Sequence, residues 1–148
     1  MQVSRSLEYA VKSLVCLASS PKPMGLKAIS SREGIPLSYL AKIMRLLVEG
    51  GIVTSRMGRK GGYLLHKEPG TIRLLDAYLL TEGDSKLIPC MENGAFCSAN
   101  EFCTQKPVWI KVQKAINEAF KNVTLDEMVP KEIGGGAISN ERADDRLA

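Results

Sequence analysis

Apolar residues recur at helical spacing from the start of the chain. Leu7, Ala10, Val11, Leu14, Val15 and Ala18 share one side of a 3.6-residue period and predict a helix over 5–19. Pro21 and Pro23 end it, because proline lacks the amide proton that the next turn needs. A second, short helix is predicted from Leu26 to Glu33, closed by Gly34. A third follows over 38–49, with Ser38 or its neighbour as N-cap and Leu40, Ile43, Met44 and Leu47 facing inward. Gly50 and Gly51 provide its exit. Two β-prone runs, 52–56 and 62–65, then flank the basic, glycine-rich stretch Met57-Gly58-Arg59-Lys60-Gly61, which predicts a hairpin. Thr71 to Thr81 reads as a fourth helix ending at Gly83. Residues 84–104 have no periodicity. Pro107 suits the first turn of a long helix reaching Lys121, with Val108, Val112, Ala115, Ile116, Ala119 and Phe120 as its apolar stripe. Thr124-Leu125-Asp126-Glu127 is a capping-box pattern for one last short turn, and the glycine-rich, polar end from Lys131 reads as a disordered tail.

Three helices followed by a hairpin within the first 65 residues are the layout of a winged helix-turn-helix. The expected fold is mainly α with a small β-hairpin, extended by a long C-terminal helix. The expected organisation is 1–83 as the winged DNA-binding unit, 84–104 as a cysteine-rich loop, 105–130 as a dimerisation helix with a short capping helix, and 131–148 as the tail. The 148 residues suit one domain, and an apolar fraction of 45% is enough for a core. No apolar run is long enough to span a membrane, and Glu8 and Lys12 make the first helix amphipathic, unlike a signal peptide. The expected location is the cytoplasm.

Charge is divided unevenly. Residues 1–67 carry 11 Lys/Arg against three acids, a net +8, whereas residues 68–148 carry nine against 13, a net −4. A basic half joined to an acidic half points to a polyanionic partner for the first. In a helix-turn-helix the second helix enters the major groove of double-stranded DNA. That assigns Ser38, Tyr39, Ala41, Lys42 and Arg45 to base edges and phosphates. Arg56, Arg59 and Lys60 sit on the hairpin and suit a narrow, electronegative minor groove. The segment Gly58–Gly62 lacks the spacing of a nucleotide-binding loop, and no nucleophile–base or carboxylate pair forms a catalytic motif. The expectation is a protein that is not an enzyme.

Four cysteines are present, and three of them, Cys90, Cys97 and Cys103, fall within 14 residues as C-x(6)-C-x(5)-C. The spacing is wider than a zinc knuckle and no histidine lies nearby. Soft thiolates in an irregular loop fit an iron–sulfur cluster better, with one position to be filled from elsewhere. Cys16, amid Val15 and Leu17, reads as a buried, inert thiol.

Together these segments resemble the IscR/NsrR-type family of iron–sulfur winged-helix transcriptional regulators. The resemblance rests on Leu37-Ser38-Tyr39-Leu40, Gly61-Gly62-Tyr63-Leu64-Leu65, the three-cysteine loop, the long helix after it and Asn122-Val123-Thr124-Leu125, in order over residues 1–130. It implies a homodimer packed through helix 107–121, a pseudo-palindromic operator, and one cluster per protomer on Cys90, Cys97 and Cys103 whose state controls DNA binding. The genes implied serve cluster assembly, iron, or redox and nitric-oxide stress. The cluster-assembly member of the family has a histidine shortly after its third cysteine, whereas here Thr104-Gln105-Lys106-Pro107 follows. Other members take the remaining ligand from the first helix of the partner subunit, a carboxylate at the position of Glu8. That precedent favours [2Fe–2S] ahead of [4Fe–4S]. Ala41 replaces an acidic residue that filters operators in the assembly regulator, which widens the expected range. The alternatives are an iron–sulfur electron-transfer protein without a regulatory role, which would not need a basic winged helix, and a cluster-free regulator sensing through a partner protein, against which the cysteines count.

Overall fold

The computed structural model describes residues 3–83, 86–88 and 103–131. Helix α1 (Arg5–Ala18) starts on Ser4, whose Oγ accepts the Leu7 amide proton at 3.1 Å. Its buried face is Leu7, Ala10, Ser13, Leu14, Cys16 and Leu17, and Val11, Val15 and Ala18 flank it. The buried arc is wider than the predicted stripe because α1 is central, packing on α2 (Leu26–Glu33), α3 (Leu37–Glu49), α4 (Leu74–Glu82) and the second hairpin strand. The Ser13 hydroxyl tolerates complete burial by donating to the Tyr9 carbonyl at 2.7 Å.

Helix α2 ends at Gly34 in the left-handed conformation, and buried Ile35 plugs the turn. Helix α3 begins at Leu37, so neither Ser38 nor a side chain caps it. The Pro36 carbonyl closes the first turn, accepting from the amides of Tyr39 at 3.0 Å and Leu40 at 2.9 Å. Proline's fixed φ sets that entry, and Ser38 is left exposed in the first turn. Leu40, Ile43, Met44 and Leu47 are buried as the period predicted.

Strands β1 (Val53–Arg56) and β2 (Gly62–Leu65) pair antiparallel, from Val53 opposite Leu65 to Arg56 opposite Gly62. Met24, between α1 and α2, adds a one-residue third strand: its amide donates to the Tyr63 carbonyl at 3.0 Å and its carbonyl accepts from Tyr63 at 2.8 Å. Gly62, at φ 140°, lies so close to this bridge that an added Cβ would stand 2.6 Å from the Met24 carbonyl. At Gly61 a Cβ would stand 2.3 Å from the Arg56 carbonyl oxygen. Gly62→Ala is therefore expected to open the bridge, lower the melting temperature and weaken DNA binding. Hydrogen exchange at the Met24 and Tyr63 amides checks this; unchanged protection would contradict it.

Helix α4 starts later than predicted. A 3-10 turn at Pro69–Thr71 and buried Ile72 precede it, and the Asp76 carboxylate accepts the Arg73 amide proton at 2.9 Å. Helix α5 (Lys106–Asn122) leans on α4 through the rings of Tyr78 and Phe120, 5.3 Å apart and edge to face. The strand-like stretch after α5 is pinned to the winged unit: Leu74 donates to the Val123 carbonyl at 2.9 Å, Leu125 to that of Ile72 at 2.8 Å, and Leu125 is buried. The predicted α5 stripe divides. Ile116 and Phe120 are half-buried, whereas Val108 and Val112 are 59% and 38% exposed. Among the described residues no helix is long and apolar enough to cross a membrane.

Candidate nucleic-acid interface and cysteine segment

The residues read as DNA contacts lie on two structures, the outer face of α3 and the hairpin. Packing of Leu40, Ile43, Met44 and Leu47 on the core turns Ser38, Tyr39, Ala41, Lys42 and Arg45 outward, and all five are exposed. Arg45 shares its charge with Glu49 across 3.5 Å, with both side chains mostly exposed. Such a pair contributes at most about 1 kcal/mol, so a phosphate can replace the carboxylate.

Tyr39 differs from its four neighbours. Its hydroxyl is hydrogen-bonded to Ser6 Oγ at 2.9 Å, and its ring meets that of Tyr9 edge to face at 5.3 Å. Both partners are on α1, so Tyr39 ties the first turn of α3 to the first helix while remaining 37% exposed. No periodicity marks such a link, which joins residues 33 positions apart.

On the hairpin, Arg56, Arg59 and Lys60 are exposed, and the turn closes through the Gly61 amide donating to the Gly58 carbonyl at 2.9 Å. The tip is thin, since Gly58, Gly61 and Gly62 carry no side chains. Sequence reasoning left two sets unassigned. Lys27 and Arg32 are exposed on α2, the helix that crosses the backbone in a helix-turn-helix, and the count of basic residues was the signal for them. Met57 is fully exposed at the tip.

Of the four proposed cluster donors, Cys90 and Cys97 lie outside the described residues. Cys103 is a half-buried free thiol shortly before α5. Glu8 is exposed on α1 and paired with Lys12 at 2.7 Å. The hydrogen bond from Lys12, and then its charge, hold the Glu8 carboxyl below the usual carboxylate range, so it is an anionic oxygen donor at neutral pH. Among the described residues no group of three metal-binding side chains is assembled. The donor set nonetheless fits an iron–sulfur cluster chemically: three thiol side chains in one short segment, one of them a free thiol at the foot of α5. Cys16 behaves as expected of an inert residue. It is buried, its Sγ lies 3.7 Å from Met24 Sδ, and burial pushes its thiol up to about 11.

Comparison with known proteins gives a consistent picture. A protein-family model, Rrf2, described as an iron-dependent transcriptional regulator, matches residues 3–131. The HTH-type transcriptional regulator IscR of Klebsiella pneumoniae subsp. pneumoniae is 31% identical over 131 residues, 87% of this chain and 80% of that protein. The solved structure of T. potens IscR superposes with a TM-score of 0.70 at 32% identity, covering 86% of this chain and 85% of that one. CymR, described as the global cysteine regulator of B. subtilis, superposes with a TM-score of 0.69 at 25% identity, covering 86% of this chain and 95% of that one.

Proposed function

Because the chain belongs to the Rrf2 family of transcriptional regulators, we propose that it is a homodimeric operator-binding regulator whose DNA affinity is set by an iron–sulfur cluster. The observation that carries the reading is the conjunction of an exposed basic wing and α3 face with three clustered cysteines ahead of α5. The relatives are named as regulators, not enzymes.

In this reading Ser38, Tyr39, Ala41, Lys42 and Arg45 enter the major groove, and Arg56, Arg59 and Lys60 follow the neighbouring minor groove. Tyr39 has a second task, because its hydrogen bond to Ser6 and its ring contact with Tyr9 hold the first turn of α3 against α1. Cys90, Cys97 and Cys103 would hold the cluster as thiolates, with Glu8 of the partner subunit as the remaining donor. The cluster would supply a group whose redox state or loss changes how tightly that segment is held. A carboxylate is a hard donor, weakly held by iron beside thiolates, so Glu8 is the donor that exchanges first. Its exposure within the protomer suits a group offered across a two-fold axis. Segments 1–83, 84–104 and 105–130 then serve as reader, sensor and dimer contact.

The dimer follows from α5. Val108 and Val112, one turn apart on the same side of α5, are exposed apolar residues that leave an apolar face on this helix. A second copy related by a two-fold axis covers such a face with itself. Sedimentation at micromolar concentration should give a dimer, and Val108→Asp with Val112→Asp should shift it to monomer. A wild-type monomer with its cluster intact would contradict the assignment.

The decisive experiment is anaerobic purification with absorption and Mössbauer spectra and iron counting, followed by DNA binding of the loaded and iron-stripped protein. The expected result is a [2Fe–2S] spectrum and an affinity that changes on stripping. The likeness to CymR, described as a cysteine regulator, favours one second reading, a cluster-free regulator. Iron-free protein whose DNA binding is unaffected by added iron and sulfide would establish that reading instead.

A further inference from the structure

Met57 follows directly on β1, next to the last paired residue Arg56, and is fully exposed. Arg59 and Lys60 stand two and three positions beyond it. The glycines at 58, 61 and 62 present no side chains, so the wing tip consists of one apolar side chain among three cations. A single exposed apolar residue is ordinary on a protein surface. The position of this one is not: it stands at the extremity of the element that the cations draw toward phosphates. A duplex engaged by Arg56, Arg59 and Lys60 meets Met57 at its groove.

We propose that Met57 is an apolar wedge in the minor groove, reading the deformability of the base step beneath the wing. This rests on the DNA-binding reading above. Methionine is unbranched, with three rotatable side-chain bonds and a polarisable thioether, so it fits an irregular groove floor that a branched side chain would not. Apolar side chains pressed between base pairs from the minor groove partly unstack a step and bend the duplex. Unstacking is easiest at pyrimidine–purine steps such as TA and CA. Met57 thereby favours such a step without hydrogen-bonding to any base. It also carries no charge, so its contribution is independent of salt, unlike that of the three cations around it.

The test begins with duplexes selected from a random library by the wild-type protein as isolated. Affinity, salt slope and bend angle are then measured for wild type, Met57→Ala, Met57→Leu and Arg59→Ala. Each is tested on a selected duplex and on one whose pyrimidine–purine step under the wing is replaced by AA. Met57 packs on nothing, so Met57→Ala should fold as wild type does. It should bind the selected duplex about tenfold more weakly, the effect of one specific contact, with an unchanged salt slope. It should also bend the duplex less and lose the preference between the two duplexes, and Met57→Leu should retain most of that preference. Arg59→Ala should flatten the salt slope, by about one for each phosphate contact removed. The proposal is overturned if Met57→Ala matches wild type in affinity and step preference, if it flattens the slope as Arg59→Ala does, or if the selected sites carry no flexible step under the wing. Failure of the wild type to select any duplex would overturn the DNA-binding reading, and this one with it.

Discussion

Alanine at any one of Cys90, Cys97 and Cys103 should leave the protein colourless, with iron falling from stoichiometric to background. In the proposed assignment each would supply one of three clustered thiolates, and no other cysteine lies close in sequence to replace one that is lost. Cys16→Ala should leave the spectrum untouched. That thiol is buried beside Met24, and burial raises it to about 11, so the thiolate that iron needs is scarce at neutral pH. Glu8→Ala should keep the cluster but shift its spectrum and shorten its life in air. The series has an internal control, because Glu8→Ala also breaks the pair with Lys12, an exposed contact of little consequence for stability. Lys12→Ala breaks the same pair and should leave the spectrum alone. A silent Glu8→Ala together with a colourless Cys16→Ala would assign the fourth donor to sulfur.

The second large effect is on DNA binding. Lys42, Arg45, Arg56, Arg59 and Lys60 are all exposed on one protomer, and a two-fold dimer doubles the set. Each phosphate neutralised releases condensed counterions, giving a log–log slope of about −0.9 per contact. With about 6–10 contacts the affinity should fall by about 10³–10⁵ between roughly 50 and 200 mM salt. Arg59→Ala should weaken binding by about 1–3 kcal/mol if the side chain enters a groove. Fluorescence anisotropy over a salt series measures both, and an affinity indifferent to salt would remove the assignment of these residues.

Helices α1, α3 and α5 were legible because each carries a 3.6-residue period, and the hairpin because of its glycine-rich turn; the α3 core residues Leu40, Ile43, Met44 and Leu47 follow the period without exception. What escaped were links between distant residues. The Met24–Tyr63 bridge is a strand of one residue, too short to show alternation. The bonds that join 123–125 to 72–74 fall between two helices, where no periodicity operates. Ser38 was a reasonable cap by residue type, but Pro36, two positions earlier, starts the helix first. Tyr39 is exposed as expected, yet its hydroxyl and ring partners are on α1, and one residue's neighbours in sequence do not reveal a partner on another helix. In α5 the period located the helix, but only the packing separates the half-buried Ile116 and Phe120 from the exposed Val108 and Val112. The cysteine segment was legible as chemistry alone, and Cys90 and Cys97 lie outside the described residues.

The wing also bears on how such a regulator changes its targets. On α3 the outward residues share one helix with the buried Leu40, Ile43, Met44 and Leu47, and Tyr39 is itself tied to α1, so replacing Tyr39 disturbs the fold. At the tip, Met57, Arg59 and Lys60 are exposed, while Gly61 and Gly62 behind them permit no replacement. Mutation can therefore explore the tip freely on a hinge that stays fixed. Promoters and regulator can drift together through those three positions, and a designer seeking a retargeted regulator would begin there.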